Sequence, residues 1–204
     1  NSVENMSGMF DSCSGLTSLD LSNFDTSNVT NMSSMFNGCS SLTTLDVSNF
    51  DTSKVTIMST MFMECSSLIN LDLSSFDTSS VTDMSFMFVL CSALKNVNLT
   101  KFNTRKVTNI RVMFSKCSSL ETVDLSAFVL KTPNTETFNA TGMFDECTSL
   151  NTIVAPQEID EGIEIELPTT SNWYIEGLTT TITKITNLEQ GKTIRNYIVT
   201  MDLP

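Results

Sequence analysis

The chain repeats one pattern about every 26 residues, and this internal repeat limits the fold more than any other feature of the sequence. Six cysteines mark the period, because their positions differ four times by 26 residues and once by 30: Cys13, Cys39, Cys65, Cys91, Cys117 and Cys147. Residues 29–54 form one complete unit, VTNMSSMFNGCSSLTTLDVSNFDTSK. One such unit is too small to bury a stable core, so the copies must stack on each other.

Each unit contains apolar residues at two different spacings. In residues 29–36 they are three or four positions apart, which predicts a short helical turn with one buried face. Residues 45–47 alternate between apolar and polar side chains, which predicts a short strand. We therefore predict an α/β fold: a leucine-rich-repeat solenoid of 26-residue coils, each with a short parallel strand and a short helical turn.

The repeat pattern is interrupted in the fifth unit and ends near residue 155. Residues 131–137 contain Pro133 and shift the register by four residues, which predicts a protruding loop. We expect residues 1–155 to form about five to six coils. Because Asn1 begins part-way through a unit, we also expect the sequence to come from a longer array.

Residues 156–204 show a different pattern. Apolar and polar residues alternate in 163–167, 181–185 and 194–199, which predicts a small β module of three or four strands. The open face of a last coil needs a cover, so we predict that this segment is a C-terminal β cap. A separate domain or a linker is the alternative.

The composition argues against several functional classes. The chain has no histidine, which removes the commonest general base, the commonest metal ligand and every nucleophile pair that depends on histidine. Eleven Lys and Arg residues against 23 Asp and Glu residues give a net charge of −12, which repels nucleic-acid phosphates and anionic lipids. We expect no catalysis, no cofactor, no nucleic-acid partner and no membrane insertion.

The cysteines are expected to form a column, since equivalent residues on stacked strands lie about 4.8 Å apart. We predict buried, reduced thiols that fill the core as small apolar side chains. Disulfides between adjacent coils are the alternative, although side chains in such a column point the same way rather than towards each other. A zinc site is disfavoured because the sequence has no CxxC pair.

Polar residues recur at the outward positions of the predicted strands. One column consists of Asp20, Asp46, Asp72, Asn98 and Asp124. Stacked repeats use such faces as extended binding surfaces, so these residues are candidate ligand contacts. The alternative is that short polar residues only keep the sheet soluble. Calcium is disfavoured, because a flat row of single oxygens does not enclose a cation that takes six to eight ligands.

Basic residues concentrate in the fourth unit and at its edges. Six of the eleven lie within positions 95–116: Lys95, Lys101, Arg105, Lys106, Arg111 and Lys116. Our hypothesis is that Lys101, Arg105, Lys106 and Arg111 help to dock an acidic protein or a glycan. The alternative is charge balance between neighbouring acidic coils.

The repeat has a strong resemblance to a known family. Residues 19–36, LDLSNFDTSNVTNMSSMF, resemble the repeat of the BspA-like leucine-rich-repeat surface proteins of bacteria, also called the mycoplasma lipoprotein repeat family. The resemblance covers residues 1 to about 153. It implies a secreted or wall-anchored protein of host-associated bacteria that acts as an adhesin or binding scaffold without catalysis.

From this resemblance we expect an adhesin-like protein at the bacterial cell surface. Its concave polar face would bind a host or extracellular matrix protein, or a glycan, and the chain would be a monomer. A structural spacer in a larger surface protein is one alternative. A carbohydrate-active enzyme is another, with Glu136, Asp145 and Glu146 as the acidic residues outside the regular pattern, but it is disfavoured because the other Asp residues recur in nearly every coil.

Overall fold

The computed structural model describes residues 3–132 and 137–196. Within these residues there are eleven strands of two or three residues and no helix, and so no helix with the length and hydrophobicity of a membrane crossing. The strands are β1 (Asn70–Asp72), β2 (Asn96–Asn98), β3 (Thr122–Asp124), β4 (Val129–Leu130), β5 (Thr152–Val154), β6 (Glu158–Ile159), β7 (Ile165–Glu166), β8 (Trp173–Ile175), β9 (Thr181–Ile182), β10 (Lys184–Ile185) and β11 (Thr193–Arg195). We number the repeats one to six by the cysteine that each contains.

The predicted α/β class, a leucine-rich-repeat solenoid with helical turns, is wrong. The described part of the chain has short strands in several small sheets, and consecutive turns replace the expected helices. Turns that follow one another also bring residues three or four positions apart onto the same side. The apolar spacing of residues 29–36 therefore did not distinguish a helix from a series of turns.

The backbone of residues 32–39, with its equivalents in the other repeats, explains the absence of a helix; we call it the turn segment. The N–H of Met35 donates to the carbonyl of Met32 at 3.3 Å, and Ser34, the third residue of this turn, has a φ of 55°. A positive φ at that position is typical of a type II turn and incompatible with a right-handed helix. All six repeats have two such residues: Gly8 and Ser12, Ser34 and Gly38, Thr60 and Glu64, Phe86 and Leu90, Val112 and Lys116, and Gly142 and Glu146.

Hydrogen bonds between turn segments hold neighbouring repeats in register. The N–H of Ser34 donates to the carbonyl of Ser59 at 3.0 Å, and the N–H of Phe36 donates to that of Met61 at 2.9 Å. These bonds have one direction, because N–H groups face the following repeat and carbonyls face the preceding one. Parallel bridges join equivalent residues throughout: Asn5, Asn31, Ile57, Asp83, Asn109 and Asn139.

The opposite side of each repeat carries the strand positions. β1 pairs with β2 in parallel, and β3 pairs with β5 in parallel, with equivalent residues of the repeats in register. The strand predicted for residues 45–47 is not formed, although their buried and exposed side chains alternate in the same sense as in β1 and β3. Among the described residues, strands on this side of the repeats therefore form only from repeat three onwards.

The core contains a stack of phenylalanine rings, one from each repeat. Neighbouring ring centroids are 5.2–5.8 Å apart, and the ring planes differ by only 3–11°. Stacking of this kind stabilises a core beyond simple burial by about 0.5–1.5 kcal/mol per pair. The stacked rings belong to Phe10, Phe36, Phe62, Phe88, Phe114 and Phe144.

The cysteine column lies beside this stack, and all six cysteines are free thiols. The predicted burial is confirmed for the five cysteines from Cys39 onwards. It is wrong for Cys13, which is a free thiol as predicted but is exposed. Each buried thiol donates to the Phe carbonyl of the preceding repeat, as Cys91 Sγ does to Phe62 O at 3.0 Å. Burial raises the pKa of Cys39 to about 11 and the pKa values of Cys91 and Cys117 well above normal.

A second buried column consists of threonines that join successive repeats. The hydroxyl of Thr78 donates to the carbonyl of Asn103 at 3.1 Å and accepts the N–H of Asn103 at 2.7 Å. Thr104 makes the same pair of contacts with Val129. The hydroxyls of Thr78 and Thr104 thus each satisfy two backbone groups of the next repeat, which would be costly to bury without partners.

The C-terminal segment packs against the last repeats through strand pairing. β11 pairs antiparallel with β5, and β6 pairs in parallel with β4. Trp173 is 1% exposed and its indole N–H donates to the carbonyl of Pro168 at 2.9 Å. The alternation predicted for residues 163–167 is confirmed, since 163, 165 and 167 are buried and 164 and 166 are exposed.

This segment has more strands than the three or four predicted, because β6 to β11 all lie beyond residue 155. Residues 197–199 of the last predicted strand lie outside the described residues, as do residues 133–136 of the predicted loop. The division of the chain at residue 155 stays a prediction.

Candidate binding surfaces

The predicted column Asp20, Asp46, Asp72, Asn98 and Asp124 is exposed in every repeat that contributes to it. Parallel pairing places Asp72 directly beside Asn98. One row closer to the N-terminus of the strands, the amide of Asn96 donates to Asn70 Oδ1 at 3.1 Å. The structure therefore aligns these side chains on one surface, which we call the strand face.

The aspartates of the strand face also have a structural role. Oδ1 of Asp20, Asp46 and Asp72 each accepts the N–H of the serine two residues later at 3.0 Å, which closes the turn after the strand position. Asn98 makes the same contact with Thr100 at 3.2 Å, and Asp124 with Ser126 at 2.8 Å. A neutral asparagine can therefore replace the aspartate in this turn.

The same contacts favour the charged form of three of these carboxylates. Hydrogen bonds from Ser22 lower the pKa of Asp20, and those from Ser48 and Ser74 lower the pKa values of Asp46 and Asp72. All three side chains are therefore ionised at neutral pH. Between Asp46 and Asp72 the strand face also contains a shallow groove of about 370 Å³, lined mainly by short polar side chains.

A second acidic column, which sequence reasoning did not assign to a surface, recurs five residues after the first. Asp25, Asp51 and Asp77 are exposed, and hydrogen bonds from the serine two residues later lower their pKa values. Asn103 occupies the equivalent position in repeat four. The recurring sequence FDTS could have revealed this column.

The four candidate basic residues are all exposed, and the two arginines contact different parts of the molecule. Arg105 Nη2 lies 3.4 Å from Glu158 Oε1, and Lys131 Nζ lies 2.8 Å from Glu158 Oε2. The guanidinium of Arg111 lies 5.3 Å from the ring centroid of Phe86, in the turn segment. In the described part of the chain, Lys101 and Lys106 make no ion pair.

The irregular acidic residues lie near the end of the repeats. Asp145 and Glu146 line a cavity of about 640 Å³ between the last turn segment and the strands β7 and β10. Glu136 lies outside the described residues. No group of three or more His, Cys, Asp or Glu residues within 3–132 and 137–196 is arranged to hold a metal ion.

These features define a class of protein made of stacked repeats with aligned, exposed polar columns. Residues 1–88 and 68–161 match the family model described as Mycoplasma protein of unknown function, DUF285, so the chain belongs to this family, which is a BspA-like mycoplasma repeat family. The resemblance of the repeat is thus confirmed at the level of the family. No curated protein and no solved structure matches the chain significantly.

Proposed function

We propose that the protein is a non-catalytic, adhesin-like binding protein of the bacterial cell surface, and that its strand face binds a host or extracellular matrix protein. The observation that carries this proposal is the alignment of one exposed acidic or amide side chain per repeat across five repeats. Repetition at a fixed spacing gives many weak contacts that a large partner can make together. The cell-surface location rests on the family resemblance.

The charges of this face favour a partner with basic contact residues. Two columns of ionised aspartates recur in repeats one to three, so a partner surface rich in Lys or Arg would meet complementary charge. Lys101 and Lys106 extend from repeat four and would contact acidic groups at one end of such a partner. A glycan would instead use the short hydroxyl and amide side chains.

The test is binding of the purified chain to a panel of extracellular matrix proteins and to a glycan array. The informative variant carries Asp20→Asn, Asp46→Asn and Asp72→Asn together. Each asparagine keeps the Oδ1 acceptor that closes the turn, as Asn98 does, while the charge is removed. We expect at least about a tenfold loss of affinity for the bound matrix protein, which corresponds to about 1.4 kcal/mol.

A matched control carries Glu4→Gln, Glu64→Gln and Glu161→Gln, which removes three exposed charges outside the strand face. It should bind as tightly as the unchanged chain. Equal losses in both variants would show that net charge alone attracts the partner. Absence of any ligand in both panels would favour the structural spacer over the binding protein.

A further inference from the structure

Repeats three to five carry apolar side chains on the outer surface of the turn segment. In repeats one, two and six the same positions hold polar residues or glycine. We call this surface the apolar turn face, and its four residues are all partly exposed: Met63, Phe86, Leu90 and Val112. A change from polar to apolar residues in three consecutive repeats is not required by the repeat fold, since the other three fold without it.

Three of these side chains lie on a backbone conformation that disfavours them. Phe86, Leu90 and Val112 have φ values of 59°, 63° and 58°. A branched or bulky residue is uncommon in the left-handed region, because its Cβ approaches the following carbonyl. Gly38, the equivalent of Leu90 in repeat two, shows that the turn forms with glycine. Strained residues of this kind cluster at functional sites, so these side chains indicate a role beyond closing the turn.

Charged residues lie on either side of Leu90 in the same column. Glu64 of repeat three and Lys116 of repeat five are the equivalents of Leu90, and both are exposed. The N–H of Glu64 donates to Val89 O at 2.8 Å, and the N–H of Leu90 donates to Ser115 O at 3.0 Å. Each step along the column is therefore one repeat. Across three repeats the column is negative, apolar and positive.

This order of charges is complementary to its own reverse. A two-fold axis that runs along the turn segment of repeat four leaves each column in place and exchanges repeats three and five. Glu64 of one protomer then faces Lys116 of its partner at both ends of the contact, and Leu90 meets its own copy at the centre. A uniformly acidic or basic surface would match only one end. The charges therefore select a second copy of this chain.

The side chains at this surface are available for such a contact. Among the described residues, Glu64 makes no ion pair. Lys116 Nζ lies 3.6 Å from Glu146 Oε1, but both side chains are exposed, and such a pair contributes little. Phe86 lies under the guanidinium of Arg111, and aromatic and arginine side chains are enriched among the residues that dominate protein interfaces.

We propose that the chain forms a homodimer through the apolar turn face, with repeats three to five of the two protomers antiparallel. The dimer replaces the monomer expected from the sequence. The strand face lies on the opposite side of each repeat, so both protomers keep it exposed. The dimer does not depend on the function proposed for that face.

The first test is charge exchange, followed by sedimentation velocity of the full chain over a series of concentrations. The unchanged chain should show a monomer–dimer equilibrium. Glu64→Lys alone and Lys116→Glu alone each bring like charges together at both ends, and each should raise the dissociation constant at least about tenfold. A chain with both substitutions regains opposite charges, and its dissociation constant should return to within about threefold of the original.

The second test removes the central apolar contact. Leu90→Gly should raise the dissociation constant at least about a hundredfold, while the circular dichroism spectrum of the monomer stays unchanged. Ser12→Gly is the matched control, because Ser12 is the equivalent residue of repeat one and has a φ of 60°. It should leave the dimer intact.

The proposal is wrong if the unchanged chain stays monomeric at every concentration. It is also wrong if the dimer persists in Leu90→Gly, or if the two charge substitutions together fail to restore what each removes. The binding tests of the strand face are to be run where the chain is monomeric, because their control variant contains Glu64→Gln. A failure of the dimer and a failure of the strand face are then distinguishable.

Discussion

Repeat one and the interior repeats have nearly the same sequence but very different environments. Met9 is 51% exposed, whereas its equivalent Met35 is completely buried, and Val3 is 50% exposed whereas Val29 is completely buried. Among the described residues, repeat one packs against repeat two alone, while an interior repeat has a neighbour on each side. Burial in this fold therefore depends on contact between repeats. Identical residues at equivalent positions can differ in reactivity and in how much they contribute to the free energy of unfolding.

The largest expected difference is in thiol reactivity. We predict that a thiol reagent such as iodoacetamide labels Cys13 within minutes in the native chain and labels the five buried cysteines at least about a thousand times more slowly. Burial raises the pKa of Cys65 to about 12 and that of Cys91 well above its usual value, so both remain neutral thiols near pH 8. Mass spectrometry of the labelled peptides measures the individual rates.

Two controls define this experiment. Cys13→Ser should remove the rapid phase completely, and denaturation in urea without a reducing agent should expose all six thiols of the unchanged chain. Rapid labelling of Cys91 would contradict the buried column. Fewer than six thiols after denaturation would show that disulfides form between repeats.

A smaller difference is expected for the phenylalanine stack. Phe88 is completely buried between Phe62 and Phe114, whereas Phe10 is partly exposed and has one neighbour of this stack, Phe36. We predict that Phe88→Ala lowers the free energy of unfolding by about 3–5 kcal/mol and that Phe10→Ala lowers it by about 1–2 kcal/mol. Urea denaturation followed by circular dichroism measures both changes. Equal losses would contradict the dependence of burial on both neighbours.

The sequence predicted the repeat register well and its backbone poorly, for a physical reason. Regular spacing identified the buried cysteine column and the exposed aspartate column, because side-chain direction follows position in a repeat. It did not distinguish a helix from successive turns, since both bury residues three or four positions apart. The decisive feature is a positive φ, which glycine marks at Gly8, Gly38 and Gly142 but which other residue types conceal elsewhere.

Proximity in sequence did not predict the contacts of the candidate basic residues, because these contacts depend on how the chain folds. Arg105 was grouped with Arg111 by proximity in sequence, yet Arg105 pairs with Glu158, 53 residues away, and Arg111 lies over Phe86. The N–H of Phe144, for which no described residue supplies an acceptor, was equally hidden, because a backbone donor without an acceptor has no signature in side-chain types.

The smallest predicted effect concerns the turn residue that is Gly8 in repeat one and Val112 in repeat five. Both have a positive φ, 65° for Gly8 and 58° for Val112, but the left-handed region costs a residue with a side chain about 1–2 kcal/mol. Glycine removes that cost and adds about 0.5–1 kcal/mol of chain entropy in the unfolded state. Val112→Gly should therefore leave the free energy of unfolding unchanged or raise it by up to about 1 kcal/mol.

Val107→Gly is the matched control in the same repeat, because Val107 is 1% exposed and is not among the residues with a positive φ. It should lower the free energy of unfolding by more than about 2 kcal/mol, through lost burial and added chain entropy. Urea denaturation of the two variants side by side separates the explanations. If Val112→Gly destabilises the chain as much as Val107→Gly, Val112 stabilises this turn through packing that outweighs its strained backbone. The stability of a repeat would then depend on its own turn residues as well as on contact with its neighbours.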